Sequence, residues 1–160
     1  MIHKILLGVF VLWLLNGCSG SDGLNDLPAV ITGSGPWGSV NLRLSPGDVV
    51  EGDLPWGSAT MHQSGGNRYF GSTPWGSTNL TYADGSLSGS APWGNISVKI
   101  TAQGLSGSIP WGSVHLVLNG QVLSGSLPWG SAQFRLGDGY HSLTDPDVIM
   151  ALTAILSDKI

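Results

Sequence analysis

The chain has 160 residues, of which only 10% are charged, with a formal net charge of −4 and a single cysteine. So few basic residues leave no cationic footprint for a phosphate backbone, and one cysteine permits neither an internal disulfide nor a thiolate metal cage. No nucleic-acid partner is expected, and the chain is long enough for one domain with one apolar core, held by packing alone.

Met1-Ile2-His3-Lys4 precedes an apolar run of eleven residues, Ile5 to Leu15, and then Asn16-Gly17-Cys18-Ser19-Gly20. A basic start, a short apolar stretch and a small residue at the cut predict a signal peptide over 1–17, since eleven residues are too few for a membrane-spanning helix. Leu15-Asn16-Gly17-Cys18 resembles the lipobox of bacterial lipoproteins, with Asn16 standing where that motif usually has a small or hydroxyl residue. The resemblance implies that Cys18 carries a lipid after cleavage and that the partner there is a membrane. Ser19 after the cysteine, rather than Asp, implies by the same resemblance sorting to the outer membrane of a Gram-negative envelope. The plainer alternative is an ordinary signal peptide followed by a chance cysteine. Residues 18–28, rich in Gly, Ser, Asp and Asn, read as the lipidated cysteine and a solvated linker.

Residues 29–143 form a repeat domain. Pro-Trp-Gly-Ser or Pro-Trp-Gly-Asn recurs with tryptophans at Trp37, Trp56, Trp75, Trp93, Trp111 and Trp129, spaced 19, 19, 18, 18 and 18 residues apart. Apolar residues stand three, five and seven after each Trp, as in Ile96-Val98-Ile100 and Val114-Leu116-Leu118, which is the period of a strand with one buried face. Before each Trp the alternation continues, with Gly four residues upstream, as in Leu105-Gly107-Ile109 and Leu123-Gly125-Leu127. Each repeat therefore predicts two strands, the first from about Ala29 to Gly35 and the twelfth from Gln133 to Leu136.

Between the two strands of successive units lie Pro46-Gly47-Asp48, Gly65-Gly66-Asn67, Asp84-Gly85, Gln103-Gly104 and Asn119-Gly120, residues that supply the positive φ of hairpin turns. Pro-Trp-Gly-Ser is the second reversal, with its Gly suited to the third position of a type II turn. This pairing sets Gly107 against Val98, Gly125 against Leu116 and Arg43 against Glu51, so small residues oppose large ones on the buried face.

Residues 144–160 predict a C-terminal helix. Thr144 is the expected cap, Pro146 lies in the first turn and Asp147 takes the capping-box position; Val148 to Leu156 is apolar all round apart from Thr153. Such a helix is buried on all sides. Twelve strands spaced about 4.8 Å and tilted near 40° close into a barrel of roughly 11 Å radius, and a helix on a sheet needs about 10 Å. The expected fold is all-β: six hairpin repeats in an antiparallel twelve-stranded up-and-down barrel around the C-terminal helix. It is similar in architecture to the tubby barrel, with which the chain shares no motif. A flattened β-solenoid capped by the helix is the alternative.

Candidate chemistry is sparse. His62 and His115 fall on outward positions of different repeats, His141 follows the last strand, and serine recurs as a repeat filler, so no catalytic residue, metal site or cofactor is expected. An outward band of Arg43, His62, Thr81, Lys99, Val117 and Arg135 reads as a solvated face. The six tryptophans have two readings. Each folds over its proline and closes the core, as a repeat needs, or the row is a surface for a glycan or an envelope protein. The function these residues suggest is a non-enzymatic, lipid-anchored envelope protein presenting a rigid repeat domain. A carrier of an apolar ligand and a glycan-binding module are the alternatives.

Overall fold

Every Pro-Trp-Gly unit reverses the chain, and the turns between units reverse it again. In the computed structural model, which describes residues 27–159, the outcome is twelve strands: β1 (Ala29–Gly35), β2 (Gly38–Ser45), β3 (Val49–Leu54), β4 (Gly57–Ser64), β5 (Arg68–Thr73), β6 (Gly76–Ala83), β7 (Ser86–Ala91), β8 (Gly94–Thr101), β9 (Gly104–Ile109), β10 (Gly112–Asn119), β11 (Val122–Leu127) and β12 (Gly130–Leu136). One helix, α1 (Pro146–Ser157), follows. The leader over 1–17, Cys18 and most of the linker lie outside the described residues.

Each strand pairs antiparallel with its neighbours in sequence, and β1 pairs with β12 through Ile31↔Leu136 and Gly33↔Phe134, so the sheet is a closed up-and-down barrel. The solenoid alternative is not adopted. Short reversals at both ends of every strand place neighbours antiparallel, whereas stacked coils need longer crossovers between parallel strands. The register is the expected one: Val98 faces Gly107, Leu116 faces Gly125 and Arg43 faces Glu51.

The inward rows, among them Leu42, Leu80, Val98, Leu116 and Phe134, are buried, and so is every residue of α1 from Val148 to Ser157. A helix buried on all faces lies inside the barrel, and it lies nearest β4 and β5. At the inward positions nearest the tryptophan turns the side chains are smaller on that side, Ala59, Thr73 and Thr78 against Ile96, Ile109 and Val114 on the far wall, while nearer the other end Met61 and Tyr69 are large and buried on β4 and β5.

The glycine four residues before each Trp has a stricter role than small-against-large packing. A Cβ on Gly107 would stand 2.3 Å from the Ser97 carbonyl oxygen and 2.6 Å from Val98 Cα, at a φ of 158°, and the same clash with neighbouring backbone recurs at Gly33, Gly52, Gly71, Gly89 and Gly125. Only a residue without a side chain admits the adjacent strand so closely.

The end away from the Pro-Trp-Gly turns is less regular than its sequence suggests. Asp84 and Gly85 do form a two-residue turn with φ of 51° and 74°. The β8–β9 turn, however, consists of Ala102 and Gln103, with Gly104 already paired to Thr101. The β10–β11 turn is Gly120-Gln121, one residue later than expected, because Asn119 pairs with Val122. Alternation of the buried face decides which residue is left for the turn.

Residues 137–145 close this end. Gly137 N–H donates to Val30 O at 2.9 Å, Leu143 N–H to Ala102 O at 3.4 Å, and Leu143 is fully buried. The helix cap is Asp145 rather than Thr144: its carboxylate accepts from Asp147 N–H at 3.0 Å and Pro146 is the first helical residue, while the Thr144 and Ser142 hydroxyls bond to each other. Proline in the first helical position needs its predecessor in an extended conformation, which Asp145 adopts and a cap one residue earlier would forbid. The Tyr140 hydroxyl donates to Asp147 Oδ2 at 2.9 Å and fastens the loop to the first helical turn.

Because α1 is the filling of the barrel, Leu152→Asp places an unpaired charge at its centre and should cost at least about 4 kcal/mol. Loss of the cooperative thermal transition is the expected result; a melting temperature unchanged by the substitution would show that the helix is not core.

Candidate functional site

The opposite end of the barrel carries the tryptophans. In each reversal the residue before Pro pairs with the Gly after Trp, as Gly35 with Gly38 and Ile109 with Gly112, so Pro and Trp are the two turn residues and Gly is the fourth. This corrects the expectation of Gly at the third position of a type II turn. The tryptophans keep negative φ, since Asp48 and Asp84 are the only non-glycine residues with positive φ among those described, and the Pro-first, Gly-last pattern is that of a type I turn. Gly38 is required by its neighbour, because a Cβ there would stand 3.1 Å from Pro55 Cβ. Each turn glycine similarly faces the proline of the next turn, round to Gly130 against Pro36, so the six turns interlock about the mouth.

On this rim the indoles form an unbroken ring. Neighbouring centroids are 5.4–6.5 Å apart, from Trp37–Trp56 round to Trp129–Trp37. Adjacent planes meet at 47–67°, close to the one-sixth turn that separates neighbours in a six-fold ring, and no two adjacent rings are coplanar. Five of them remain 41–49% exposed, and Trp111 is more buried and packs on the core. The arrangement thus falls between the two sequence-based readings, neither sealed into the core nor laid out as a flat row.

Two residues that follow α1 occupy the ring. Asp158 caps α1, its N–H donating to Ile155 O at 3.3 Å, and Lys159 follows. Trp56 Nε1–H donates to Lys159 O at 2.7 Å, and Lys159 Nζ stands over Trp37, Trp111 and Trp129 at 5.6, 5.6 and 5.7 Å from their centroids. Beneath it the Asp158 carboxyl is buried. Its Oδ1 accepts from Lys159 N–H at 2.8 Å, and its Oδ2 makes no hydrogen bond. Burial pushes this carboxyl above its ordinary value of 3.8, while the Lys159 N–H and the Trp75 indole act to hold it ionised. Sequence reasoning missed Asp158 and Lys159. The one signal for them is that two charged residues end an apolar helix as long as the barrel is high.

The histidines do not come together. His62 on β4 and His115 on β10 lie on opposite sides of the barrel, with His62 stacked on Phe70 at 5.5 Å, and His141 lies in the loop at the far end. No group of three His, Cys, Asp or Glu side chains suited to a metal occurs among the described residues. Comparison of the chain with protein-family models, curated proteins and solved structures found no match.

Two measurements follow from the ring. Trp93→Ala, which removes a half-exposed indole, should cost about 1–2 kcal/mol, against roughly 3–5 for a buried aromatic, and Trp111→Ala should cost more than Trp93→Ala. Thermal melts showing a full buried-aromatic loss at Trp93 would place the ring in the core instead. The second concerns pH. A carboxyl raised in the native state binds its proton more tightly there than in the unfolded chain, so stability increases as pH falls through the raised range and is lower above it. Asp158 and Asp147, both raised chiefly by burial, act in the same sense. Melting temperature should therefore climb as pH is lowered from neutrality toward the ordinary carboxylate range, and Asp158→Asn should flatten that climb without destabilising the protein at neutral pH. An unchanged slope in the variant would remove Asp158 from this role.

Proposed function

We propose that the protein is a non-enzymatic lipoprotein of the bacterial cell envelope, tethered to the outer membrane through a lipid on Cys18, whose barrel is a rigid stand presenting the tryptophan ring as its binding end. One observation carries this reading: the chain enters the barrel at the end opposite the ring. Leu27 O accepts from Arg43 Nη1 at 2.7 Å and Pro28 O from Leu44 N–H at 3.0 Å, both beside the hairpin turns. The tether from Cys18 would therefore attach at the end of the barrel opposite the ring, leaving the ring as the end away from the point of attachment.

The other readings receive less support. A carrier of an apolar ligand needs an interior that α1 already occupies. A glycan platform needs an open indole face or a coplanar pair, and here adjacent rings meet at 52–59° with three of the faces already covered by Lys159. For the anchor, Cys18→Ser should move the protein from the membrane to the soluble fraction, or leave an uncleaved precursor. Intact-mass analysis of the wild type should show a modified N-terminal Cys18. A mature N-terminus elsewhere, without lipid, would overturn the anchoring.

A further inference from the structure

From the geometry of the ring we infer that the tryptophan crown is a binding site for a small organic ammonium ion, methylated ammonium above all, and that Lys159 is its built-in occupant. The inference rests on the ring being the binding end and is independent of the lipid on Cys18. In a hexagon the centre lies one side length from every corner. Sides of 5.4–6.5 Å therefore put a point on the barrel axis about 6 Å from all six indoles, the distance within which a cation is attracted to an aromatic face.

Lys159 already demonstrates the preference, with its ammonium over three consecutive indole faces of the ring. Its ammonium is nevertheless a poor match for the site. Nζ stands near the centre, 5.6–5.7 Å from Trp129 and its two neighbours, but a primary ammonium is compact and strongly hydrated, so it touches few of the faces closely and loses water to remain there. A methylated ammonium is larger and more weakly hydrated, so it would span the centre, meet more of the six faces and give up less hydration on entry. It would displace the Lys159 side chain, while Trp56 kept its hydrogen bond to the Lys159 backbone carbonyl. The negative net charge of the chain favours a cation over an anion.

Six of the seven tryptophans are in the crown, so intrinsic fluorescence reads it almost alone. The test titrates the wild-type chain, Lys159→Ala and Lys159→Arg with tetramethylammonium and with choline. The control is the uncharged analogue of choline in which carbon replaces nitrogen. Lys159→Ala should show saturable quenching by both cations at least about ten-fold tighter than the wild type, Lys159→Arg should stay as closed as the wild type, and the neutral analogue should bind at least about ten-fold more weakly than choline.

Equal response to choline and its neutral analogue would overturn the proposal in favour of a merely apolar well. Absence of saturable quenching in a cooperatively melting Lys159→Ala would overturn it outright. In the unmodified protein, Lys159 should resist amine acetylation relative to exposed Lys99, and choline should abolish that protection; equal labelling of the two lysines in the free protein would also count against the site. Addition of phosphatidylcholine vesicles separates the two sources of the ligand, since binding to free choline alone marks a solute and binding to both marks a lipid headgroup.

Discussion

The structure depends on the fit between one helix and one closed sheet. A barrel of twelve strands encloses more volume than its inward side chains fill, and an empty or wet apolar interior of that size would cost far more than a small domain's net stability. Helix α1 supplies the missing volume, and in exchange the barrel buries an apolar surface that the helix could not leave in water. Neither element is stable in this form without the other. The glycine row that lets adjacent backbones approach, and the small Ala59, Thr73 and Thr78 near the tryptophan end of β4 to β6, both serve this fit.

The two ends of the barrel solve different problems. At the hairpin end each turn has its own composition, the chain enters, and residues 137–145 cross the mouth before the helix begins. At the other end six near-identical turns interlock Gly against Pro, and that regularity brings the indoles into a ring with nearly equal spacing. A single peptide then breaks the symmetry. The ring offers six equivalent indoles, yet Lys159 takes three by its ammonium and one by its carbonyl. The asymmetric occupant is thus held by several modest contacts rather than by burial in the core.

Much of the fold is legible because the repeat states each rule six times. The period-two apolar rows and the recurring turn chemistry specify twelve antiparallel strands, and an all-round apolar helix specifies something to surround it. Turn details were less legible. Asn119-Gly120 and Gln103-Gly104 carry turn residues, but strand pairing shifts the reversal by one residue in each direction. Likewise Thr144 has the chemistry of a cap, and the backbone demanded by Pro146 gives the place to Asp145.

What the sequence determined alone is therefore local and periodic: strand number, inward and outward faces, register, and a helix that must be buried. Those follow from alternation and turn geometry, which act over a few residues at a time. Closure around the helix was the expected arrangement with a solenoid as its alternative, and the tertiary structure decided between them; it alone brought Asp158 and Lys159 to the centre of the ring. Successive hairpins bring indoles 18 or 19 residues apart side by side, the meeting of β1 with β12 adds the Trp129–Trp37 contact that completes the ring, and its occupant follows a helix that no repeat rule places.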